Sequence, residues 1–185
     1  MSLTMTMAEL YDQYYSVYPD KANLYRGDTE MPNHCHNRVT FYSANTEDVA
    51  KLKQIFEDEN TFTQIIPEPD WPNTPLLSSD NRYGSKYGKD GELPVRSEDP
   101  FVTYRFQSTG RADERWYDWR VQNWDTKWDC YDVVVTDDDP ESVEIEFNTA
   151  WSPPEAICHK IREDYPDVSV SWFYDEPGCE IAGYL

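Results

Sequence analysis

The sequence predicts an α+β protein in which helices cover one face of an antiparallel sheet. Two patterns lead to that class. Apolar and polar residues alternate with period two at Val143, Ile145 and Phe147 against Glu144 and Glu146. They do so again at Val168, Val170, Trp172 and Tyr174 against Ser169, Ser171 and Phe173. Near residue 50, and again near residue 160, apolar residues step instead at the spacing of a helix.

Residues 1–30 carry Met7, Leu10, Tyr11, Tyr14, Tyr15 and Tyr18, an amphipathic helix with a tyrosine stripe that Pro19 ends. They are expected to form an N-terminal helical extension to one domain over residues 31–185. Arg38 to Ser43 reads as a short strand. Asn45 then caps a helix, with Asp48 at its positive end and Val49, Leu52, Ile55 and Phe56 facing inward. Phe62 to Ile66 reads as a further extended segment. Prolines and glycines break every period from Pro67 to Gly110. A long irregular insertion is therefore expected over about 67–122, with one strand at Phe101–Phe106 and a helix over Arg111–Gln122.

Beyond it, Tyr131–Thr136 is a strand, and Asp137-Asp138-Asp139-Pro140 makes a turn into the acidic strand around Ile145. Ser152-Pro153-Pro154-Glu155 has the marks of a helix start: a serine cap, a proline in the first helical position and a glutamate three residues after the cap. Ile157 and Ile161 then face inward, and Asp164-Tyr165-Pro166 ends the helix. Glu176-Pro177-Gly178 turns the chain into an edge strand at Ile181–Leu185. Strand, helix, insertion, strand, strand, helix, strand is the split βαβ, or ferredoxin-like, order. Between Trp116 and Trp128 lie four of the seven tryptophans. Such a cluster is expected to be core, since each aromatic ring buries roughly 150–250 Å².

The net charge of −20 is unevenly spread. Residues 128–185 hold fifteen of the 36 acidic residues and only two of the 16 basic ones, Lys160 and Arg162. A surface of that sign repels nucleic acid and anionic membranes and steers basic partners toward itself. No apolar run approaches the ~20 residues of a membrane span, and the N-terminus has no secretory pattern. Cys35, Cys130, Cys158 and Cys179 show no C-x-x-C spacing, which with the missing signal segment places the chain in the cytoplasm with reduced thiols.

Several blocks resemble the YubB-like proteins of plasmids and phages. Met31-Pro32-Asn33-His34-Cys35-His36-Asn37-Arg38-Val39 is similar to the family's opening block, and Asn123-Trp124-Asp125-Thr126-Lys127-Trp128-Asp129 to a second. Phe147 to Pro154 and Tyr174-Asp175-Glu176-Pro177-Gly178 are similar to two more. His34 stands where the family is expected to have tryptophan, and Asp125 where it has glycine. The resemblance implies a ferredoxin-like domain and a mobile-element setting, and no activity.

No P-loop, G-x-S-x-G, H-E-x-x-H or G-x-G-x-x-G motif is present. His34-Cys35-His36 offers three ligand types, but a strand sends Cys35 to the face opposite the two histidines, so neither zinc nor any cofactor is expected. The Asp137–Glu141 run lacks the glycine and the spaced glutamate of a calcium loop. Two functional readings remain. In the first, Asp137, Asp138, Asp139, Glu141, Glu144 and Glu146 form an acidic face that binds a basic protein. A stricter version has Glu144 and Glu146, about 6.6–7 Å apart along a strand, echo the phosphates of DNA. In the second, Trp124, Trp128, Trp151 and Tyr174, with the carboxylate pair Asp175 and Glu176, line a groove for a small ligand or substrate. Direct nucleic-acid binding, which exposed aromatics serve on related sheets, is opposed by Glu144 and Glu146.

Overall fold

The structure is a computed structural model that describes residues 33–80, 87–98 and 102–185. The tyrosine-striped helix expected before residue 31 lies outside the described residues, as do Met31, Pro32 and Phe101.

The first strand, β1 (His34–Tyr42), is longer than expected because it pairs with a neighbour from His34↔Ala150 onward. It buries Cys35, Asn37, Val39 and Phe41 and turns His34, His36, Arg38, Thr40 and Tyr42 the other way. Asn45 caps helix α1 (Thr46–Glu57) by accepting from the Glu47 amide, and Val49, Leu52 and Phe56 are buried.

The segment expected to be extended at Phe62–Ile66 is instead a short helix, α2 (Thr61–Ile65). Five residues are too few to show a helical period, and the feature that holds the turn is remote. Asp129 Oδ1 accepts the Phe62 amide at 2.9 Å, and the Trp124 indole N–H donates to Ile66 O at 3.0 Å.

In the insertion, the strand expected at Phe101–Phe106 reduces to a two-residue ribbon, β2 (Val95–Arg96) with β3 (Tyr104–Arg105). The helix expected from Arg111 begins later, as α3 (Arg115–Asn123), because Ala112 bridges to Arg105. Arg115, 4% exposed, holds this region together. Its guanidinium pairs with Asp113 at 2.8 Å, donates to the carbonyls of Thr74 and Pro75, and stacks near Trp71 and Phe106.

The C-terminal third follows the predicted order: β4 (Tyr131–Asp139), β5 (Ser142–Ala150), α4 (Glu155–Asp164), β6 (Ser169–Glu176) and β7 (Ile181–Tyr184). Strand β4 runs through the aspartates expected to form the turn, and the chain reverses at Pro140 and Glu141. The sheet order is β4-β5-β1-β6-β7, all antiparallel. Its first four strands form the ferredoxin-like arrangement, and β7 adds an edge. Val39 and Phe41, with Val143, Ile145, Phe147 and Trp172, pack against Leu52, Phe56, Ile157 and Ile161, so α1 and α4 cover one face only.

Ser152 does not cap α4. The residue at the cap is Pro154, which has no side chain to accept. The Ser152 hydroxyl donates to Asp125 O, and Asp125 Oδ2 accepts the Ala156 amide at 2.8 Å. The cap therefore comes from the loop that follows α3, where Asp125 sits at φ 63. Asp125→Ala should destabilise the protein by about 0.5–2 kcal/mol in chemical unfolding, through loss of that acceptor. A loss below about 0.3 kcal/mol would contradict the remote cap.

Candidate functional site on the open face of the sheet

Because successive strand residues alternate, the face away from the helices collects the even-numbered side chains of β1 and β5. The register places His36 opposite Asn148 on one neighbour and Asp175 on the other, and Arg38 between Glu146 and Phe173. Glu144 accepts hydrogen bonds from Thr136 Oγ1 at 2.9 Å and Thr40 Oγ1 at 3.4 Å. One step along β5, Glu146 Oε2 lies 3.8 Å from His36 Nε2, whose Nδ1 lies 3.7 Å from Asp175 Oδ1. A histidine thus stands between two carboxylates on three adjacent strands. Arg38 lies over the Phe173 ring, and Phe173 packs edge-on against Tyr184, which is 70% exposed. Val134 and Tyr42 add further exposed apolar surface.

The six residues expected to form the acidic face divide. Asp137 and Asp139 pair in register with Glu144 and Ser142, on the open side with Glu144 and Glu146. Asp138 pairs with Val143 on the helix side and meets Lys53 Nζ of α1 at 2.6 Å. Glu141 lies in the turn, its amide donating to Asp139 Oδ1.

The six groove residues do not converge either. Trp124 is fully buried, packed on Phe62 and Trp119. Asp175 and Glu176 point to opposite faces, as adjacent strand residues must. Glu176 is buried and accepts the Gly178 and Cys179 amides, so it holds the turn rather than facing a ligand. Asn33 packs where a Cβ on Gly178 would lie, which explains the glycine there. Tyr174 faces the helix side and packs against Gly183. Of the expected groove, Trp128 and Trp151 come together around Lys127, at the end of the open face where His34 bonds the Tyr131 hydroxyl at 2.6 Å.

The tryptophan cluster expected to be core is therefore mixed: Trp124 is inside, Trp119 is packed at its edge, and Trp128 is exposed. Nothing in the linear sequence signals the contacts of His36 with Glu146 and Asp175. The residues are distant in sequence, and only the register of three strands reveals them.

Among the described residues, no group of three His, Cys, Asp or Glu is arranged to hold a metal ion, and no helix is long and apolar enough to cross a membrane. Burial pushes the thiols of Cys35 and Cys158 up to about 11 and that of Cys130 up to about 12, far from a nucleophile's range. Cys179 is exposed, and its thiol is raised by donating a hydrogen bond to Glu176.

Residues 123–185 match the family model described as the ferredoxin-like domain in Api92-like protein. The match begins at the Trp124 loop and takes in β4, β5, α4, β6 and β7. A crystal structure of a protein api92 from Yersinia pseudotuberculosis is similar, with a TM-score of 0.47 and 9% identity, covering 83% of this chain and 93% of that one. No match was found among curated proteins.

An alkylating reagent at pH 8 should modify Cys179 first in the folded protein, and Glu176→Gln should speed that reaction by removing the carboxylate that disfavours the thiolate. Mass spectrometry finding Cys130 or Cys158 labelled as fast as Cys179 would contradict this placement.

Proposed function

We propose that this chain is a protein-binding module that receives a basic protein on the open face of its sheet. The observation that carries the reading is the composition of that face. Helices cover one side, while the other presents Asp137, Asp139, Glu144, Glu146 and Asp175 among Phe173, Tyr184 and Val134. Carboxylates around exposed aromatics suit a partner that brings lysine and arginine with some apolar surface, because aromatics supply contact area and charges supply orientation and rate. The sign of the whole chain, −20, favours the same partner at a distance. Phosphates would meet these carboxylates unfavourably, so nucleic acid is not the direct ligand. The mobile-element setting implied by the YubB-like blocks, and a cytoplasmic location, belong to the same proposal.

The test begins with a basic protein captured from the native host at low salt. Its affinity is then measured at low and high salt for the wild type and for Asp137→Asn/Glu144→Gln/Glu146→Gln. The triple variant should keep its unfolding midpoint, bind more weakly at low salt, and show a flatter salt dependence because fewer ion contacts remain to be screened. Asp138→Asn, on the helix side, should bind as the wild type does. Equal affinities of triple variant and wild type at both salts would remove the open face as the binding surface. Duplex DNA competing for the same partner would favour the stricter version, in which Glu144 and Glu146 stand in for phosphates.

A further inference from the structure

At one end of the open face, two tryptophans are exposed and held in place. Trp128 is 37% and Trp151 44% exposed. Trp151 occupies the left-handed backbone region at φ 74, where a bulky side chain is strained. Its neighbours on both sides are fastened. Before it, the Thr126 hydroxyl donates to Ala150 O at 2.9 Å and accepts the Ala150 amide at 3.2 Å, and Thr126 is 1% exposed. After it, Ser152 donates to Asp125 O. The Trp151 amide itself donates to Asn33 O at 2.9 Å. Thr126 therefore ties the loop that carries Trp128 to the strand end that carries Trp151. The burial of core residues does not fully explain this arrangement, because both tryptophans stay partly open to solvent.

What the rings face is a cation. Lys127 Nζ lies 4.3 Å from the centroid of Trp128 and 6.0 Å from that of Trp151. Among the described residues, Lys127 makes no ion pair with a carboxylate. The π-faces of tryptophan attract ammonium and guanidinium groups, most strongly when water is excluded. A half-buried lysine on a flexible stem is a weak occupant, and a planar guanidinium stacks on indole more fully. The rings are also continuous with the open face, since Trp128 packs edge-on against Tyr131, the hydroxyl partner of His34.

We propose that Trp128 and Trp151 form a socket for an arginine side chain of the basic partner, and that Lys127 fills it in the free protein. This assignment rests on the protein-binding reading and names one contact within it. Because the backbone that carries Trp151 is already fastened and the Trp128 ring already packs on Tyr131, arginine docking orders little, which favours affinity. Lys127 competes from within the chain, so apparent affinity falls by the fraction of time the socket is filled.

The test is an NMR titration of the indole N–H signals with N-acetyl-arginine amide, against the neutral isostere N-acetyl-citrulline amide. At millimolar concentrations, arginine should shift the Trp128 and Trp151 signals and citrulline should not. Lys127→Ala should strengthen arginine binding severalfold. Trp128→Ala, and Trp151→Gly, which suits the positive φ, should abolish the response while the unfolding transition shows a folded protein. Equal responses to arginine and citrulline, no response to either, or an undiminished response in both tryptophan variants would overturn the socket. Selective shifts from a neutral monosaccharide would overturn it in favour of a sugar platform. Glu144→Gln/Glu146→Gln should leave the single-arginine response intact. Loss of partner binding in Trp151→Gly alone would thus retain the socket and refute the wider face, whereas loss in the glutamate variant alone would do the reverse.

Discussion

The short loop from Trp124 to Asp129 is the constraint on which the rest of this structure depends. Each residue type in it does a different physical job. The Trp124 indole is buried and donates to Ile66 O, the carbonyl just past the end of α2. Asp125 takes a left-handed backbone and caps α4 from outside it. Thr126 bonds both polar groups of Ala150, at the end of β5. Asp129 accepts the Phe62 amide, so α2 too is capped from a distance. Burial raises the Asp129 carboxyl, while bonds from the Phe62 and Cys130 amides oppose that shift. Three elements separated in sequence, α2, β5 and α4, are thus joined by polar groups, and the buried ones among them would be costly to leave unpaired, at about 1–3 kcal/mol each.

That constraint shapes the surface as well as the core. By fixing Trp124 inward, the loop leaves Lys127 and Trp128 outward, beside Trp151. The helices are drawn to one side of the sheet, so the other side keeps its carboxylates, His36 and its aromatic edge in solvent. Buried polar groups on the inward side are matched in the same economical way. Asn37 donates to Thr149 Oγ1 and to Cys35 O and accepts from the Trp172 indole, so the central strand carries an amide into the core without an unpaired group.

Much of the fold was legible in the sequence wherever the determining signal was local. Alternation through Val143 to Phe147 marks β5, and Asn45 with Val49, Leu52 and Phe56 marks α1. The Ser152-Pro153-Pro154-Glu155 signature correctly announces a helix but misplaces its cap, because the acceptor is Asp125, 31 residues away. Helix α2 reads as extended in the sequence for a similar reason, its amide being held by Asp129, 67 residues on. The site was legible in composition and not in arrangement. Acidic alternation located Glu144 and Glu146, yet only the strand register separates Asp138 from Asp137. The same register sets Asp175 beside His36 and turns Glu176 inward.

The most direct test of the open face is positional cross-linking. A photoreactive residue at Ser171, which faces out beside Thr40 on the uncovered side, would be compared with one at His159 on the outer surface of α4. The account predicts that the basic partner is captured from position 171 and not from position 159. Capture from 159 alone would place the partner on the helical side and contradict the account.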